Sequence, residues 1–344
     1  MTDMRRAAIH RWLESETGFQ LQSLAIASAD ASFRRYWRAT ERGGNTAIVM
    51  DAPPDKEDIA PYLKVVGLLA PLGVHVPQVR AVDAAQGFVL MEDLGSQSYL
   101  AALQSGSDPE ALYGDAMQSL LALQLRGGVA ARELARYDAA ALDREMALMP
   151  EWFLGRHLQY RTNADEQALL AHTTAWLRDE VLRQPVVFVH RDYHSRNLMW
   201  LPANKPGVID FQDAVAGPVA YDLVSLFKDC YIRWPRERVQ GWLRSYRQRL
   251  NAADGGALMA GADEREFLRW FDLAGLQRHI KVLGIFARLC HRDGKPGYLA
   301  DLPLTLDYVR DAAARYSETQ ALARWIENRV VAQLPLANKR ALAP

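Results

Sequence analysis

The sequence reads VVFVHRDYHSRNLMW over residues 186–200 and VIDF over residues 208–211. An apolar, β-branched run ends in a polar loop, a second apolar run comes next, and a third run ends in an acid. Three polar residues, Asp192, Asn197 and Asp210, therefore stand in loops at the ends of short strands. We expect these loops to bring the three side chains to one place, and the rest of the chain to be organised around them.

Length, composition and charge limit the class of protein. The chain has 344 residues, which is enough for two lobes with a substantial core. Apolar residues make up 49% of the chain and charged residues 24%, as is typical of globular proteins. The formal net charge is zero, so no general field attracts nucleic acid or anionic lipid. We expect neither a nucleic-acid nor a membrane partner.

The cysteines and the N-terminus predict a cytoplasmic location. Cys230 and Cys290 are far apart, lie in apolar, helix-like contexts and form no CxxC motif, so we expect both to be reduced. The first thirteen residues contain no apolar core of signal-peptide length. No apolar run in the chain is long enough to span a bilayer.

The first quarter of the chain is predicted to be mostly β-structure. Helical spacing of apolar residues favours helices only over residues 5–15 and 58–72. A break of small residues, 28–32, separates the first two strands and could cover the phosphates of a nucleotide, although a plain hairpin also explains it. The predicted strands are residues 21–26, 33–39, 46–50, 79–82 and 87–91.

The last of these strands continues into an acidic turn that ends in glycine. This turn, EDLG over residues 92–95, is typical of a hinge between two lobes. Main-chain groups of Glu92 and Leu94, together with Met91, could face an adenine edge there. We therefore place a nucleotide-binding lobe at residues 1–92 and a catalytic, substrate-binding lobe at residues 93–344.

The larger lobe is predicted to be mainly helical. Pro150 must begin or kink a helix. The predicted helices are residues 113–125, 139–159, 166–183, 221–231, 235–250, 264–288 and 304–331. The fold class is therefore α+β, with a small β-rich N-terminal lobe and a larger helical C-terminal lobe.

The residue types at the central stretch suit phosphoryl transfer from ATP. This reaction needs an in-line hydroxyl, magnesium on the phosphates and a carboxylate that orients the nucleophile. Mg²⁺ takes one or two carboxylate or amide oxygens and keeps several waters. The spacing predicts Asp192 as the base, and Asn197 and Asp210 as the ligands of Mg²⁺.

Here the sequence resembles a known family. HRDYHSRN over residues 190–197 resembles the catalytic loop of the aminoglycoside phosphotransferase family, which has the protein-kinase-like fold. IDFQD over residues 209–213 resembles its metal-binding motif, and YDL over residues 221–223 resembles the start of its next helix. The likeness covers nearly the whole chain and implies a two-lobed, ATP- and Mg²⁺-dependent phosphotransferase. A purely structural explanation, with a turn cap and a buried ion pair, is the alternative.

The resemblance also implies roles for individual residues. Asp192 takes the role of the base, and His190 supports the loop from beneath. Asp222 would brace the loop by accepting its backbone hydrogen bonds. Asp213 would face the substrate, although a role as a turn or cap residue explains it equally well.

One feature departs from the family. The third strand of this fold presents a lysine to the nucleotide phosphates, whereas here it offers Met50 or Val49. Arg35 could supply the positive charge instead, because strand alternation sends it to the same face as Phe33. Ser32 and Phe33 are then the expected phosphate contacts next to it.

A narrower resemblance is to bacterial sugar kinases of this family. It rests on DASFRRY over residues 30–36, MDAPP over 50–54, EDLG over 92–95 and EWFL over 151–154. Those kinases phosphorylate the anomeric hydroxyl of N-acetylmuramate and N-acetylglucosamine in peptidoglycan recycling. The resemblance implies an amino-sugar 1-kinase, and we expect a monomer.

The acceptor site is less readable. The carboxylate of muramate favours an arginine or histidine, for which Arg144, Arg156, His157, Arg161 and Arg196 are candidates. Trp152 and Phe153 could form an aromatic wall for a sugar ring, although core packing also explains them. We select Asp213, Arg196, Glu145 and Trp152 as substrate-binding candidates.

Other acceptors remain open. A cationic aminoglycoside, or another small molecule, would call for acids such as Glu145, Glu151, Asp213 and Asp143. A protein substrate is not expected, because about a dozen residues separate Asp210 from Asp222 and the Ala-Pro-Glu motif is missing. A non-catalytic nucleotide-binding scaffold fits the missing lysine but has no need of Asp192, Asn197 and Asp210 together.

Overall fold

The computed structural model describes residues 2–29, 33–203 and 206–342. Its larger sheet is formed by residues up to Glu92, and helices make up most of the chain beyond that point. The strands of these residues are β1 (Leu21–Ala29), β2 (Arg35–Glu41), β3 (Thr46–Asp51), β4 (Val79–Asp83), β5 (Phe88–Glu92), β6 (Val186–Val189), β7 (Leu198–Met199), β8 (Gly207–Val208) and β9 (Val215–Pro218).

The helices account for the greater part of the described chain. They are α1 (Thr2–Glu16), α2 (Ala60–Leu69), α3 (Tyr99–Gln104), α4 (Pro109–Arg126), α5 (Gly128–Ala131), α6 (Ala139–Met146), α7 (Ala164–Leu182), α8 (Tyr221–Phe227), α9 (Arg236–Asp254), α10 (Glu264–His291), α11 (Leu302–Ala313), α12 (Gln320–Arg329) and α13 (Leu334–Ala341). Short 3₁₀ segments cover Ala70–Leu72, Pro296–Asp301 and Val331–Gln333, and a π-helical segment covers Met149–Leu158. The predicted α+β class is confirmed.

The chain divides into two compact units. Unit 1 consists of Met1–Ala122 and Arg196–Asp213. Unit 2 consists of Leu123–Ser195 and Ala214–Pro344. The predicted boundary after residue 92 divides the chain by function rather than by compactness, and it stays a prediction.

Unit 1 is built on a five-stranded antiparallel sheet. The strand order is β1-β2-β3-β5-β4. Because side chains alternate between the faces of a strand, the register separates two sets of residues. One face packs its apolar side chains against α1; the buried cluster there includes Ile9, Trp12, Leu13, Trp37, Ala39, Val49 and Leu90. The opposite face carries Tyr36, Arg38 and Ile48, and Arg38 pairs directly with Ile48.

A glycine fixes the turn before β5. Gly87 has φ +71°, and a Cβ atom there would lie 1.9 Å from the carbonyl oxygen of Ala52. The Ala52 N–H donates to the Gly87 carbonyl at 2.9 Å. Only glycine fits this approach without a clash, so the ends of β3 and β5 are held side by side.

A small hairpin, β7–β8, completes unit 1. It pairs Leu198 with Val208. The Val208 N–H donates to the carbonyl of His75 at 2.7 Å, which ties the hairpin to the segment before β4. Asn197 and Asp210 flank the two strands and are therefore held in unit 1.

Unit 2 contains a second short ladder, formed by β6 and β9. Val186 pairs with Pro218 and Val189 with Val215. β9 was not predicted, because its Gly217-Pro218 pair is atypical of a strand. The ladder positions the end of β6, from which the loop with Asp192 begins.

The long helix α10 is the main support of unit 2. Asp263 caps it by accepting from the Glu266 N–H at 2.8 Å. Gly284 lets a neighbouring segment approach closely, since a Cβ atom there would lie 2.3 Å from the carbonyl carbon of Leu148. The π-helical segment thus packs on α10 at van der Waals distance.

Several predicted helices differ at their ends; the predicted helix 221–231, for example, ends at Phe227. The predicted helix 304–331 is divided into α11 and α12, because the Thr319 hydroxyl donates to the Ala313 carbonyl at 2.7 Å and ends the first helix. The predicted helix 139–159 is α6 followed by the π-helical segment. Pro150 lies in the first turn of that segment, as expected of proline.

Cys230 and Cys290 are free thiols, as predicted. Cys230 is buried, and burial raises the pKa of its thiol to about 11. Among the helices of the described ranges, none has the length and apolar character needed to cross a membrane.

Candidate active site

Unit 1 contains a cavity of about 470 Å³ between the free face of its sheet and the β7–β8 hairpin. Tyr36, Arg38 and Ile48 come from the sheet, and Tyr62 comes from α2. Six residues selected from the sequence line it: Met91, Glu92, Leu94, Arg196, Asn197 and Asp210. The predicted hinge and the predicted metal ligands therefore share one cavity.

The hinge can meet a purine only through some of its main-chain groups. The Glu92 N–H donates to the Gln78 carbonyl at 2.9 Å. The Glu92 side chain binds His75, with 3.1 Å between Oε1 and Nε2. A contact from Glu92 to an adenine edge would therefore use its carbonyl, which leaves the role of N–H donor to a neighbour such as Leu94.

An arginine that was not predicted holds the hinge turn. Arg38 donates to both carboxylate oxygens of Asp93, at 2.6 and 3.0 Å, and to the Gly95 carbonyl at 2.9 Å. Burial would raise the pKa of Asp93, but the bonds from Arg38 keep it below its usual value. Such a paired fork is geometrically specific. The alternation of Tyr36 and Arg38 along β2 was the available signal.

The predicted metal ligands lie together. Asn197 Nδ2 donates to Asp210 Oδ2 at 3.2 Å, and Gln212 Nε2 donates to Asp210 Oδ1 at 2.8 Å. Asp210 has φ +64°, which is rare for a residue other than glycine and occurs at functional sites. One carboxylate beside one amide suits Mg²⁺, which keeps waters in its other positions. The donor set fits the predicted ion.

An apolar block stands near the third strand, where the family presents a lysine. The rings of Tyr62 and Phe211 stack with centroids 5.0 Å apart. The Tyr62 hydroxyl donates to the sulfur of Met91 at 3.1 Å, and burial raises the pKa of that hydroxyl. Met50 is fully buried in β3. The third strand thus carries no cation towards the cavity.

Two adjacent arginines at the start of β2, Arg34 and Arg35, have different surroundings. Arg35 pairs with Asp51 across the ladder, with 2.8 Å between Nη2 and Oδ2, and Arg5 of α1 binds the same carboxylate. Arg35 therefore lies on the α1 face, away from the cavity. Arg34 lies just before β2. Its guanidinium is near enough to Tyr62 to lower that residue's pKa.

The first predicted phosphate contacts lie at the edge of the described chain. Ser32 falls outside the described residues. Phe33 is 65% exposed, and its N–H donates to Glu57 Oε1 at 3.0 Å. Glu57 also lies 3.9 Å from the Nε of Arg34. The segment after residue 32 is thus anchored to the turn before α2.

In unit 2, Asp222 holds the start of the predicted catalytic loop. Its carboxylate accepts the N–H groups of His190 at 2.7 Å and of Arg191 at 3.0 Å. Burial raises the pKa of Asp222 to about 7, although these two bonds oppose the rise. Arg191 has φ +77°, and its carbonyl accepts from the Ser225 hydroxyl at 3.2 Å. These are the contacts expected of Asp222.

His190 lies beneath the loop. Its side chain is buried, and its Nδ1 accepts the Asp192 N–H at 3.3 Å. Its ring packs edge-on against Tyr193. The imidazole thus occupies the place expected from the sequence.

Asp229 braces the other end of the loop and was not predicted. One of its oxygens accepts the Ser195 N–H at 2.9 Å and the Ser195 hydroxyl. The other accepts the Tyr231 N–H at 3.1 Å. Its position after an apolar helix, in FKDC over residues 227–230, resembled an ordinary helix end. The loop is therefore held by a buried acid at each end.

Asp192 stands at the middle of this loop in a field of cations. Its side chain is 41% exposed, and its Oδ1 lies 3.6 Å from Nη2 of Arg278. Burial would raise the pKa of Asp192, but Lys281, His194 and Arg278 lower it to about 2. The group is a carboxylate at neutral pH and can accept a hydrogen bond from a hydroxyl.

Glu145, a predicted substrate contact, is bound inside unit 2. Its carboxylate pairs with Arg191, accepts from the Tyr137 hydroxyl and lies 3.1 Å from Nζ of Lys281. Burial would raise the pKa of Glu145, but Lys281 and Arg191 lower it. Its side chain is only 12% exposed, so its charge is neutralised by these partners.

The other substrate candidates are dispersed. Arg196 is exposed and lines the cavity of unit 1, and Asp213 is exposed at the end of that unit. Trp152 is half-buried in the π-helical segment of unit 2. Their roles stay predictions.

Solved structures share this fold. The AMP-bound complex of spectinomycin phosphotransferase APH(9)-Ia has a TM-score of 0.63 and 11% identity, covering 90% of this chain and 99% of that one. Choline kinase LicA from Streptococcus pneumoniae has a TM-score of 0.61 with 11% identity and the same coverage. ADP-bound aminoglycoside phosphotransferase APH(2'')-Ib has a TM-score of 0.57 with 15% identity, covering 88% and 97%. The predicted protein-kinase-like fold is confirmed.

Sequence relatives are much more similar. A protein of Pseudomonas putida named N-acetylmuramate/N-acetylglucosamine kinase is 45% identical over 88% of this chain and 87% of its own length. Proteins of the same name from Pseudomonas aeruginosa and Neisseria meningitidis are 46% and 42% identical, over 87% and 92% of this chain and 86% and 94% of their lengths. A family model described as "Phosphotransferase enzyme family" matches residues 23–271. The predicted enzyme class is confirmed: the chain belongs to the phosphotransferase enzyme family.

Proposed function

We propose that this enzyme transfers the γ-phosphoryl group of ATP to the anomeric hydroxyl of N-acetylmuramate and N-acetylglucosamine, in the cytoplasmic recycling of peptidoglycan. The observation that carries the proposal is the match to kinases named for these two sugars, at 42–46% identity over about nine tenths of both chains. Matches of this length include the helical part of the chain, where an acceptor is recognised.

The cavity of unit 1 suits the nucleotide. The hinge at Glu92 and Leu94 offers main-chain groups to an adenine edge, and the apolar Met91 and Ile48 flank the same space. Asn197 and Asp210 would hold Mg²⁺ in that cavity. The ion, when bound, offsets the charge of the phosphates.

We assign the cation for the phosphates to Arg34 rather than to Arg35. Arg35 is used by Asp51 on the α1 face of the sheet. Arg34 acts on Tyr62, which lines the cavity, and its side chain is only 13% exposed. Since no lysine stands on β3, a guanidinium at this edge supplies the charge that the phosphates need.

Asp192 would orient the acceptor hydroxyl and take its proton. A carboxylate with a pKa of about 2 is a weak base, which suits a loose transition state in which the proton leaves late. An anomeric hydroxyl is more acidic than other sugar hydroxyls, so it needs little help. Asp222 and Asp229 hold this loop in place.

The test is a panel of acceptors incubated with magnesium-ATP: free N-acetylated and unmodified sugars, aminoglycosides and peptides. We expect transfer to the two N-acetylated sugars, and phosphorus NMR of the product should show the phosphate on C1. Phosphate on an aminoglycoside alone would favour the second acceptor class. Nucleotide binding without transfer to any acceptor would favour a non-catalytic scaffold.

A further inference from the structure

An aromatic row leads away from the loop that carries Asp192. The ring of His194 lies edge-on to Tyr231, with centroids 5.4 Å apart. Tyr231 is 6.3 Å from Phe286 of α10, and Phe286 is 5.4 Å from Tyr298. We call these four residues the aromatic row, and all of them belong to unit 2.

The row is held rigidly. Asp229 binds the Tyr231 N–H with one oxygen and the loop at Ser195 with the other. The Tyr308 hydroxyl donates to the Ile232 carbonyl at 3.3 Å. The backbone at Tyr231 and the loop at Ser195 thus share Asp229 as an anchor, and such preorganisation lowers the entropic cost of binding.

The row has a buried side and an open side. Phe286 is only 4% exposed, whereas Tyr231, Tyr298 and His194 are half-buried. The buried ring thus backs rings that still reach solvent. A pyranose has an apolar C–H face and a hydroxylated rim. An aromatic side chain can stack on the C–H face while the hydroxyl groups of the rim stay exposed to solvent.

A buried guanidinium lies next to the base. The side chain of Arg278 is 4% exposed. Its Nη2 is 3.6 Å from Asp192 and its Nη1 is 3.8 Å from the sulfur of Cys230, neither of which is a strong hydrogen bond. Its Nε is buried and has no hydrogen-bond partner among the described residues.

Such a group needs an explanation. A guanidinium has five N–H donors, and buried donors are nearly always satisfied by protein, water or ligand. Leaving a buried donor unpaired is unfavourable, because it loses its bonds to water without replacement. An oxygen-bearing ligand at Asp192 would give this guanidinium a stronger partner than its two long contacts, so the unpaired Nε and these contacts point to a binding site beside the base.

We propose that the aromatic row and Arg278 form the acceptor subsite for one 2-acetamido pyranose. The sugar stacks its C–H face on Tyr231, its C1 hydroxyl meets Asp192, and Arg278 donates to the acetamido oxygen. The acetamido group is on C2, next to the reacting carbon, as Arg278 is next to Asp192. The subsite thus recognises what N-acetylglucosamine and N-acetylmuramate share. This inference rests on the proposed function.

The first test removes the ring. Tyr231→Ala should raise the KM for N-acetylglucosamine about tenfold, the effect of losing one good stacking contact. Tyr231→Phe keeps the ring and should stay within about twofold of the wild type. The KM for ATP and the melting temperature should change little in either variant. A general structural defect would instead alter these two quantities together with the sugar KM.

The second test pairs a substitution with a change of substrate. We expect the wild type to prefer N-acetylglucosamine to glucose in kcat/KM, and Arg278→Met to reduce that preference at least tenfold. Arg278→Lys, which keeps a donor, should retain part of it. If Arg278→Met does not fold, saturation-transfer NMR on the wild type decides: the acetyl methyl and the C–H face should be the parts of the sugar closest to the protein.

The outcomes separate the two proposals. If the wild type phosphorylates neither N-acetylated sugar, the proposed function is wrong and this inference falls with it. If the wild type phosphorylates them while Tyr231→Ala leaves the sugar KM unchanged and the acetamido preference survives Arg278→Met, only the subsite is wrong.

Discussion

The cavity of unit 1 and the helical surroundings of Asp192 in unit 2 were predictable to different degrees. In unit 1, the hinge residues and both metal-ligand candidates line one cavity. In unit 2, the substrate candidate Glu145 is bound to Arg191 and Lys281, whereas Asp229 and Arg278 were not predicted.

The difference has a geometric cause. Along a strand, side chains alternate with a period of two, and a short hairpin fixes the residues that flank it. Position in the sequence then determines the face of the sheet. Along a helix, which residues meet depends on how the helices pack, and a single sequence does not state that. Substitutions in both units test this contrast.

The largest expected effect is at the loop of unit 2. Asp192→Asn removes the proton acceptor but keeps the shape of the side chain, so kcat should fall about a thousandfold. ATP binding, measured by calorimetry, should persist. Asp143→Asn is the matched control, since Asp143 is half-exposed and pairs with Arg178 on the surface. A loss of less than tenfold in Asp192→Asn would mean that another group accepts the proton.

Glu145→Gln tests whether Glu145 is a structural ion-pair partner or a substrate contact in unit 2. Removing one partner of a buried ion pair costs about 3–5 kcal/mol, because Arg191 and Lys281 would lose their counter-charge. We expect urea unfolding to show that loss, with the KM for the sugar changed less than twofold. Glu327→Gln, at an exposed pair with Arg310, is the control and should be near neutral. A raised sugar KM at unchanged stability would restore Glu145 as a substrate contact.

A substitution at the predicted metal site tests the comparison in unit 1. Asp210→Asn keeps a residue type that tolerates φ +64°, so the backbone should not be strained. Loss of the carboxylate should lower kcat about a hundredfold and raise the Mg²⁺ concentration needed for half-maximal rate. A magnesium titration of both proteins checks this. An unchanged titration midpoint would place the ion elsewhere.

The sequence predicted the elements of unit 1 well because its strands are bounded by turns. The resemblance to the phosphotransferase family also implied that Asp222 would accept backbone hydrogen bonds of the loop. The sequence did not predict β9, whose Gly217-Pro218 pair hides a strand. It could not predict a role for Arg278, because nothing in the sequence of this 28-residue helix indicates which neighbour each of its arginines faces.

Arg34 and Arg35 are neighbours in the sequence but have different expected roles. Arg35 pairs with Asp51, whereas Arg34 lies just before β2 and near Tyr62, which lines the cavity. Arg34→Ala should raise the KM for ATP about tenfold, the effect of one charged phosphate contact. Arg35→Ala should leave that KM within about twofold and instead lower the melting temperature, since Asp51 is fully buried. The reverse result would show that β2 meets the phosphates through its other face.

The smallest expected change is with pH. Because the pKa of Asp192 lies near 2 in the folded enzyme, below its unfolded value of about 3.9, its carboxylate form is complete well below pH 5. Protonation of Asp192 should therefore remove no activity between pH 5 and pH 8, as a kcat profile would show. Replacing the nearby charge in Arg278→Met should raise the pKa and move the acid limb upward, towards that range. A wild-type acid limb near pH 5 that does not move upward in Arg278→Met would show that this cation does not hold down the pKa of the base.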